Sequence, residues 1–184
     1  MPSMKGSSSV STHAEQLSGR KRATGIPART VTPCPVRARA DSEAGGIRRL
    51  LFPAIYLADS AQACMVEVER AAQAASTTAE KMLEAAYRLH TIDVTDLAVL
   101  DLTTPQAREA VGLENDDIYG DDWSGCQAVG HAAWFLHMQG VLVPAAGGVG
   151  LVVTAYEQRT RPGQLQLRQS VDLTPALYQE LRAT

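Results

Sequence analysis

The chain has 184 residues, of which 45% are apolar, and it carries a formal net charge of −3. This length allows one domain with a sizeable core, and no apolar run approaches the roughly 20 residues of a membrane span. The opening residues lack the apolar segment of a secretory signal. The three cysteines (Cys34, Cys64 and Cys126) are odd in number and widely spaced. These features argue against a disulfide-stapled secreted protein and predict a cytoplasmic one.

The basic residues are concentrated near the N-terminus, where the first fifty residues hold nine lysines and arginines against three acids. Residues 1–25 are serine-rich and basic, which is typical of a disordered tail, so the folded domain is expected over residues 26–184. The run Arg20-Lys21-Arg22 is a patch of the kind that contacts nucleic acid. No aromatic residues interleave with it and no DNA-reading motif follows, so nucleic-acid binding is the least favoured function.

Beyond residue 26, the pattern of apolar residues predicts interleaved strands and helices. In chain order it predicts an extended segment over 26–31, strands over 54–58, 87–94, 98–102, 141–144, 149–156 and 165–173, and helices over 60–75, 78–86, 104–111, 121–139 and 175–182. The long helix 121–139 is expected to be capped by Asp121 or Asp122 and ended by Gly140. Short connections join the last strands. The order therefore indicates a single α+β domain with a mixed central sheet flanked by helices.

The first predicted strand-to-helix junction carries a tyrosine and a carboxylate. Tyr56 lies in the strand, and Glu67 lies at the edge of the apolar stripe of the helix, with Ala63 and Ala71 one turn away on either side. A carboxylate between small apolar neighbours has room for a ligand. The ordinary explanations are an exposed ion pair between Glu67 and Arg70, and a place for Tyr56 in the core.

Two other groups of residues resemble binding sites only superficially. His131 and His137 lie six residues apart on one predicted helix, hence on different faces, and with Cys126 they do not make a zinc site. The glycine-rich run over residues 147–150 joins two strands, so the helix N-terminus that would hold a phosphate is missing. No metal is therefore expected.

Several motifs occur in a fixed order: an early arginine, a Gly-Arg turn, IYLADS, EVE, VLDLT, CQAVGHAAW and GVLVPAA. From about residue 28 to about residue 156, this order resembles the RES-domain family, the toxin half of certain bacterial toxin–antitoxin pairs. The resemblance implies a fold like that of ADP-ribosyltransferases and the breakdown of NAD by hydrolysis or with phosphate as acceptor. NAD would then be a substrate and not a cofactor. The resemblance also implies a helix-turn-helix antitoxin that blocks the site.

The resemblance assigns residues to the site. Glu67 matches the family glutamate, eleven residues after the active-site tyrosine, here Tyr56. The arginine of the Gly-Arg turn falls at Arg48 or Arg49, and Arg29 matches an earlier family arginine. Arginines would hold the pyrophosphate through paired hydrogen bonds. The carboxylate would stabilise the ribosyl cation that forms as nicotinamide leaves, and the tyrosine would stack on nicotinamide or ribose.

One residue of the family pattern is replaced. Where relatives carry Pro-Ser after the buried strand, this chain has Pro144-Ala145, which removes a hydroxyl from the nucleotide-binding part of the expected site. Two functions stay open. The chain is either a RES-type toxin domain that cleaves the nicotinamide–ribose bond of NAD with weakened activity, or a degenerate RES domain that serves as a binding or antitoxin-docking module. A homo-oligomer is compatible with both.

Overall fold

The structure, a computed structural model, describes residues 20–23, 26–33, 52–120 and 122–183, the first two ranges by their backbone alone. The strands are β1 (Arg20–Ala23), β2 (Ile26–Pro33), β3 (Ala54–Ala58), β4 (Tyr87–Val94), β5 (Leu97–Asp101), β6 (Gly140–Pro144), β7 (Leu151–Tyr156) and β8 (Leu165–Asp172). The helices are α1 (Ala61–Ala74), α2 (Ala79–Met82), α3 (Pro105–Ala110), α4 (Asn115–Tyr119), α5 (Ser124–Phe135) and α6 (Pro175–Arg182). None of these described helices has both the length and the apolar character needed to cross a membrane.

The described strands form one mixed sheet in the order β1-β5-β6-β7-β3-β2-β4-β8. Strands β5 and β6 pair in parallel, and the other neighbours pair antiparallel. Strands β4 and β5 stand seventh and second in this order, yet only Thr95 and Asp96 separate them in the chain. Two linking residues let the chain cover at most about 10 Å between the two strands, so the sheet must curl strongly on itself. The prediction of a single α+β domain with a mixed sheet and flanking helices is confirmed.

The concave face of the curled sheet holds a core that the strands make by themselves. Its buried members are Leu57, Val94, Leu97, Val99, Leu142, Val153 and Ala155. They come from the middle of the strand order and from strands near both of its ends, as the curl requires. Burying each of the larger side chains contributes about 1.5–3 kcal/mol to stability.

Two separate helical layers cover the convex face of the sheet. The buried side chains under α1 include Ala58, Ala63, Cys64, Met65, Val68, Ala72, Leu89 and Leu173. Those under α5 include Leu102, Leu113, Ile118, Ala133, Val141 and Tyr156. Helix α1 therefore covers the half of the sheet that contains β4 and β8, and α5 covers the half that contains β5, β6 and β7.

Helix α1 forms where the sequence predicts it. Ser60 is its N-cap, because the Ser60 hydroxyl accepts a hydrogen bond from the Ala63 N–H at 3.1 Å. At its other end, Ser76 adopts a φ of +54° and the Thr77 N–H donates to the Ala72 carbonyl at 2.9 Å. This is a Schellman motif, which closes the helix.

Helix α5 is shorter than the prediction over residues 121–139. It begins at Ser124 and ends at Phe135. His137 adopts a φ of +58°, and the Met138 N–H donates to the Ala133 carbonyl at 3.0 Å. The chain thus closes the helix with a non-glycine residue three positions before Gly140.

Three other stretches differ from the sequence-based expectation. Arg20–Ala23, assigned to the disordered tail, form β1 and pair with β5. The second predicted helix, over 78–86, contracts to the single turn Ala79–Met82. The short helix α4 is additional, and its N-terminus is closed by a capping box in which the Asp117 carboxylate accepts from the Glu114 N–H at 2.8 Å.

Candidate functional site

Tyr56 lies on a strip of the convex face between the two helical layers. Side chains two residues apart on a strand share a face. Ala58 belongs to the cluster under α1, and Ala54 packs against the cluster under α5, so Tyr56 lies between the layers on the same face. Its side chain is 65% exposed, which makes its interpretation as a core residue wrong. We call this strip, bounded by α1, α5 and the loop over residues 145–150, the crevice.

The phenol of Tyr56 is partly desolvated although much of the residue is exposed. Desolvation by the surrounding protein raises the pKa of this phenol. Burial, and then the nearby Tyr56 phenol, raise the pKa of Tyr156 as well. Both phenols are therefore neutral at physiological pH, so they offer hydrogen bonds and flat rings and carry no charge.

Glu67 lies on the side of α1 that faces the loop over residues 145–150. The Gly147 N–H donates to Glu67 Oε1 at a long N···O distance of 3.4 Å, and the Glu67 side chain is half-buried. The guanidinium of Arg70 is engaged elsewhere, because its Nη1 donates to the Ala146 carbonyl at 3.1 Å. No ion pair within 4 Å joins Glu67 to Arg70 in the described part of the chain. The loop, and not an exposed ion pair, therefore positions this carboxylate.

The strand register brings Tyr56 and Glu67 to the same crevice. Tyr56 pairs with Thr154 of β7, and Ala58 pairs with Val152, so β3 runs past Tyr56 toward the loop over residues 145–150, from which β7 starts. Glu67 faces that same loop from α1. Tyr56 therefore lies on the floor of the crevice, and Glu67 lies on its α1 wall near the loop.

The expected phosphate-binding residues are described to different extents. Arg48 and Arg49 lie outside the described residues. Arg29 lies in β2, where its backbone pairs with Ala58 at the end of β3. Ala145 is buried, with 1% of its surface exposed, and its N–H donates to the Gly150 carbonyl at 3.0 Å. Ala145 therefore offers almost no surface to a ligand.

Helix α5 brings Ser124 to the crevice, a residue that the sequence did not single out. Seven helical residues turn the chain through about 700°, so Ser124 lies within about 20° of His131 around the helix. The His131 ring contacts Phe52 beside β3 at a centroid distance of 5.4 Å. Only residues 136–139 separate the end of α5 from the beginning of β6, so the helix and the strand run in opposite directions. The first turn of α5 therefore lies at the end of β6 that leads into the loop over residues 145–150.

Aromatic packing makes the α5 wall of the crevice rigid. Phe52 stacks on Trp134 at a centroid distance of 4.6 Å and meets the edge of Tyr156 at 4.9 Å. The Tyr156 hydroxyl donates to the Gly130 carbonyl at 2.8 Å, which ties α5 to the sheet. These contacts fix α5 against Tyr156 and against Phe52, which lies just before the strand that carries Tyr56.

His131 lies within α5 and His137 lies just after it, and the two histidines have separate environments. The His131 ring contacts Phe52, whereas His137 Nδ1 lies 2.7 Å from Arg159 Nη1. Within the described ranges, no group of three or more His, Cys, Asp or Glu side chains is placed to hold a metal ion.

Two comparisons with known proteins identify the class. The family model described as the RES domain matches residues 21–167, and the chain therefore belongs to the RES-domain family. It is similar to a chain in the crystal structure of the MbcT–MbcA toxin–antitoxin complex of M. tuberculosis. The two are 81% identical, the match covers 90% of this chain and 93% of that chain, and the TM-score is 0.76. This chain is thus a RES-domain homologue of the toxin MbcT.

Proposed function

We propose that this chain is the toxin of a toxin–antitoxin pair, that it binds NAD in the crevice, and that it cleaves the nicotinamide–ribose bond. The observation that carries the proposal is the convergence of Tyr56 and Glu67 on one crevice: an exposed, neutral phenol on the floor and a half-buried carboxylate on the wall. Membership of the RES-domain family and the homology to a toxin support it.

The chemistry of the bond explains why these groups suit the reaction. Nicotinamide leaves as a neutral ring from a cationic one, so the leaving group needs no strong acid. Positive charge develops on the ribose, and Glu67 stabilises it. The Tyr56 ring stacks on nicotinamide or ribose and its hydroxyl orients the sugar. Arg29, with Arg48 or Arg49, holds the pyrophosphate through paired hydrogen bonds, and water or phosphate captures the ribosyl cation.

Ser124 supplies the hydroxyl that the family pattern requires in this proposal. Ala145, the position expected from the resemblance, is buried and offers almost no surface to a ligand. Ser124 lies in the first turn of α5, on the side of the helix that meets Phe52 through His131, and its side chain is exposed. The change at Ala145 then has no bearing on activity, and the chain is an active enzyme.

The partner in this proposal is a helix-turn-helix antitoxin that covers the crevice. The homologue was crystallised as a toxin–antitoxin complex. Two large side chains, Tyr119 at the end of α4 and Trp123 just before α5, are 42% and 55% exposed and give such a partner an apolar rim to bind. The cytosol, which holds NAD, is where the toxin acts.

The test compares Glu67→Gln with Glu84→Gln, which makes the same change at an exposed glutamate outside the crevice. Glu67→Gln removes the charge that stabilises the ribosyl cation, so nicotinamide release from NAD is expected to fall at least about hundredfold. Glu84→Gln is expected to match the parent. Equal turnover by the parent and Glu67→Gln would rule the mechanism out. Calorimetric NAD binding without nicotinamide release by the parent would favour the degenerate binding module.

A further inference from the structure

We infer that Arg70 is a positioning residue that clamps the loop over residues 145–150 onto α1 and thereby holds the Glu67 carboxylate in place. The Arg70 guanidinium donates to the Ala146 carbonyl at 3.1 Å, and the next residue, Gly147, donates its N–H to Glu67 Oε1 at 3.4 Å. Two side chains three residues apart on one helix therefore bind the two ends of a single peptide group of the loop, the one that joins Ala146 to Gly147. This inference rests on the proposed role of Glu67.

The loop lies along one stripe of α1, and its glycines make this approach possible. A Cβ on Gly147 would overlap Val66 Cγ1, and a Cβ on Gly150 would overlap Asp59 Oδ1 and lie 3.1 Å from Ala63 Cβ. The backbone therefore touches the helix where any side chain would push it away. Residues 150, 147 and 146 follow the helix from its beginning toward Arg70.

The long Gly147–Glu67 contact shows why a second anchor is needed. A hydrogen bond of 3.4 Å is weak, and on its own it would not immobilise both a glycine-rich loop and a glutamate side chain. Arg70 fixes the same peptide group through a shorter, charge-assisted bond to its carbonyl oxygen. The loop is internally tied as well, since the Gly148 N–H donates to the Ala145 carbonyl at 2.9 Å. Arg70 therefore anchors the hydrogen-bonded turn over residues 145–148, and this turn places the Gly147 N–H next to the Glu67 carboxylate.

A misplaced carboxylate stabilises charge in the transition state less well, whereas binding of NAD through its phosphates and rings is unaffected. Loss of Arg70 should therefore lower kcat and leave KM nearly unchanged. A purely structural role for Arg70 would lower the unfolding midpoint without this split between kcat and KM.

The experiment compares Arg70→Ala, Arg70→Lys and Arg182→Ala in the full chain. Arg182 contacts the same helix through Glu69, with an Nη2–Oε2 distance of 3.0 Å, and is the matched control. Arg70→Ala is expected to lower kcat for nicotinamide release about tenfold and to change KM less than about twofold. Arg70→Lys, which keeps one donor, is expected to recover part of the rate. Arg182→Ala is expected to retain the parental kcat.

Hydrogen exchange of residues 145–150 gives a readout that does not need activity. The clamp predicts faster exchange of this loop in Arg70→Ala than in the parent or in Arg182→Ala. Unchanged exchange in Arg70→Ala, or equal kcat for Arg70→Ala and Arg182→Ala, would overturn the inference. An absence of NAD cleavage by the parent would overturn the proposed function instead, so the two failures have different signals.

Discussion

Two positions compete for the role of the family serine, and a pair of substitutions separates them. If the hydroxyl of Ser124 bonds the substrate in the transition state, Ser124→Ala should lower kcat/KM for NAD cleavage about ten- to hundredfold. Ala145→Ser, which adds a hydroxyl at a buried position, should give no gain in rate. Nicotinamide release measured on both variants decides the matter. A normal rate in Ser124→Ala together with a faster Ala145→Ser would return the role to position 145.

At the residue scale, the sequence drew attention to Tyr56 and Glu67 because both lie in one short local unit, a strand and the helix that follows it. Local periodicity alone favoured a core position for Tyr56 and an exposed ion pair for Glu67, and only the resemblance to the RES-domain family assigned both residues to a site. Ser124 was missed because it approaches the crevice through tertiary packing of α5 on the sheet. The actual partner of Arg70 was missed for the same reason, since Ala146 lies 76 residues away in the chain.

At the scale of elements, the ends of the helices show what local sequence can determine. Helices α1, α3 and α5 are each followed, two positions beyond the last helical residue, by a residue with positive φ, namely Ser76, Gly112 and His137. Glycine at such a position signals a helix end, and the prediction over 104–111 stopped before Gly112. Serine and histidine give no such signal. The end of α5 was therefore predicted four residues too late, whereas Ser60, a recognisable N-cap, marked the beginning of α1.

The positive φ of Ser76 gives a prediction about the stability of α1. A non-glycine residue in the left-handed region is strained, and Ser76 is exposed, so Ser76→Gly should stabilise the protein by about 0.5–1 kcal/mol. For a chain of this size, the thermal midpoint should rise by about 2 °C. Ser76→Ala keeps the strain and is the matched control, expected to show no such rise. A lower midpoint for Ser76→Gly than for Ser76→Ala would contradict the assignment of strain to this residue.

At the scale of the whole molecule, the order of the strands in the sheet could not be predicted from the sequence. Local alternation identified β4 and the neighbouring β5, and a two-residue connection ordinarily indicates a hairpin. These two strands instead stand second and seventh in the sheet order, and the curl of the sheet brings them together. Helix α5 and the loop over residues 145–150 are brought to Tyr56 by this arrangement. The crevice therefore depends on the long-range order of the strands, although Tyr56 and Glu67 lie close together in the sequence.

A buried glutamine holds the β4–β5 connection closed and provides the test of this architecture. Gln164 is 6% exposed, and its Nε2 donates to the Asp96 carbonyl at 2.6 Å. Its Oε1 accepts from Gln139 Nε2 at 2.7 Å and from the Arg161 N–H at 2.8 Å. Gln164→Leu leaves these partners without their bonds, so the free energy of unfolding should fall by about 2–3 kcal/mol.

Urea unfolding of Gln164→Leu and of Gln166→Leu measures this effect with a matched control. Gln166 is an exposed residue of β8, two positions after Gln164, so its substitution should change the free energy of unfolding by less than about 0.5 kcal/mol. Because the β4–β5 connection closes the whole sheet, the loss in Gln164→Leu should appear in a single cooperative transition. Equal midpoints for the two variants would show that the glutamine does not hold the connection. A separate early transition would show that this end of the sheet unfolds on its own.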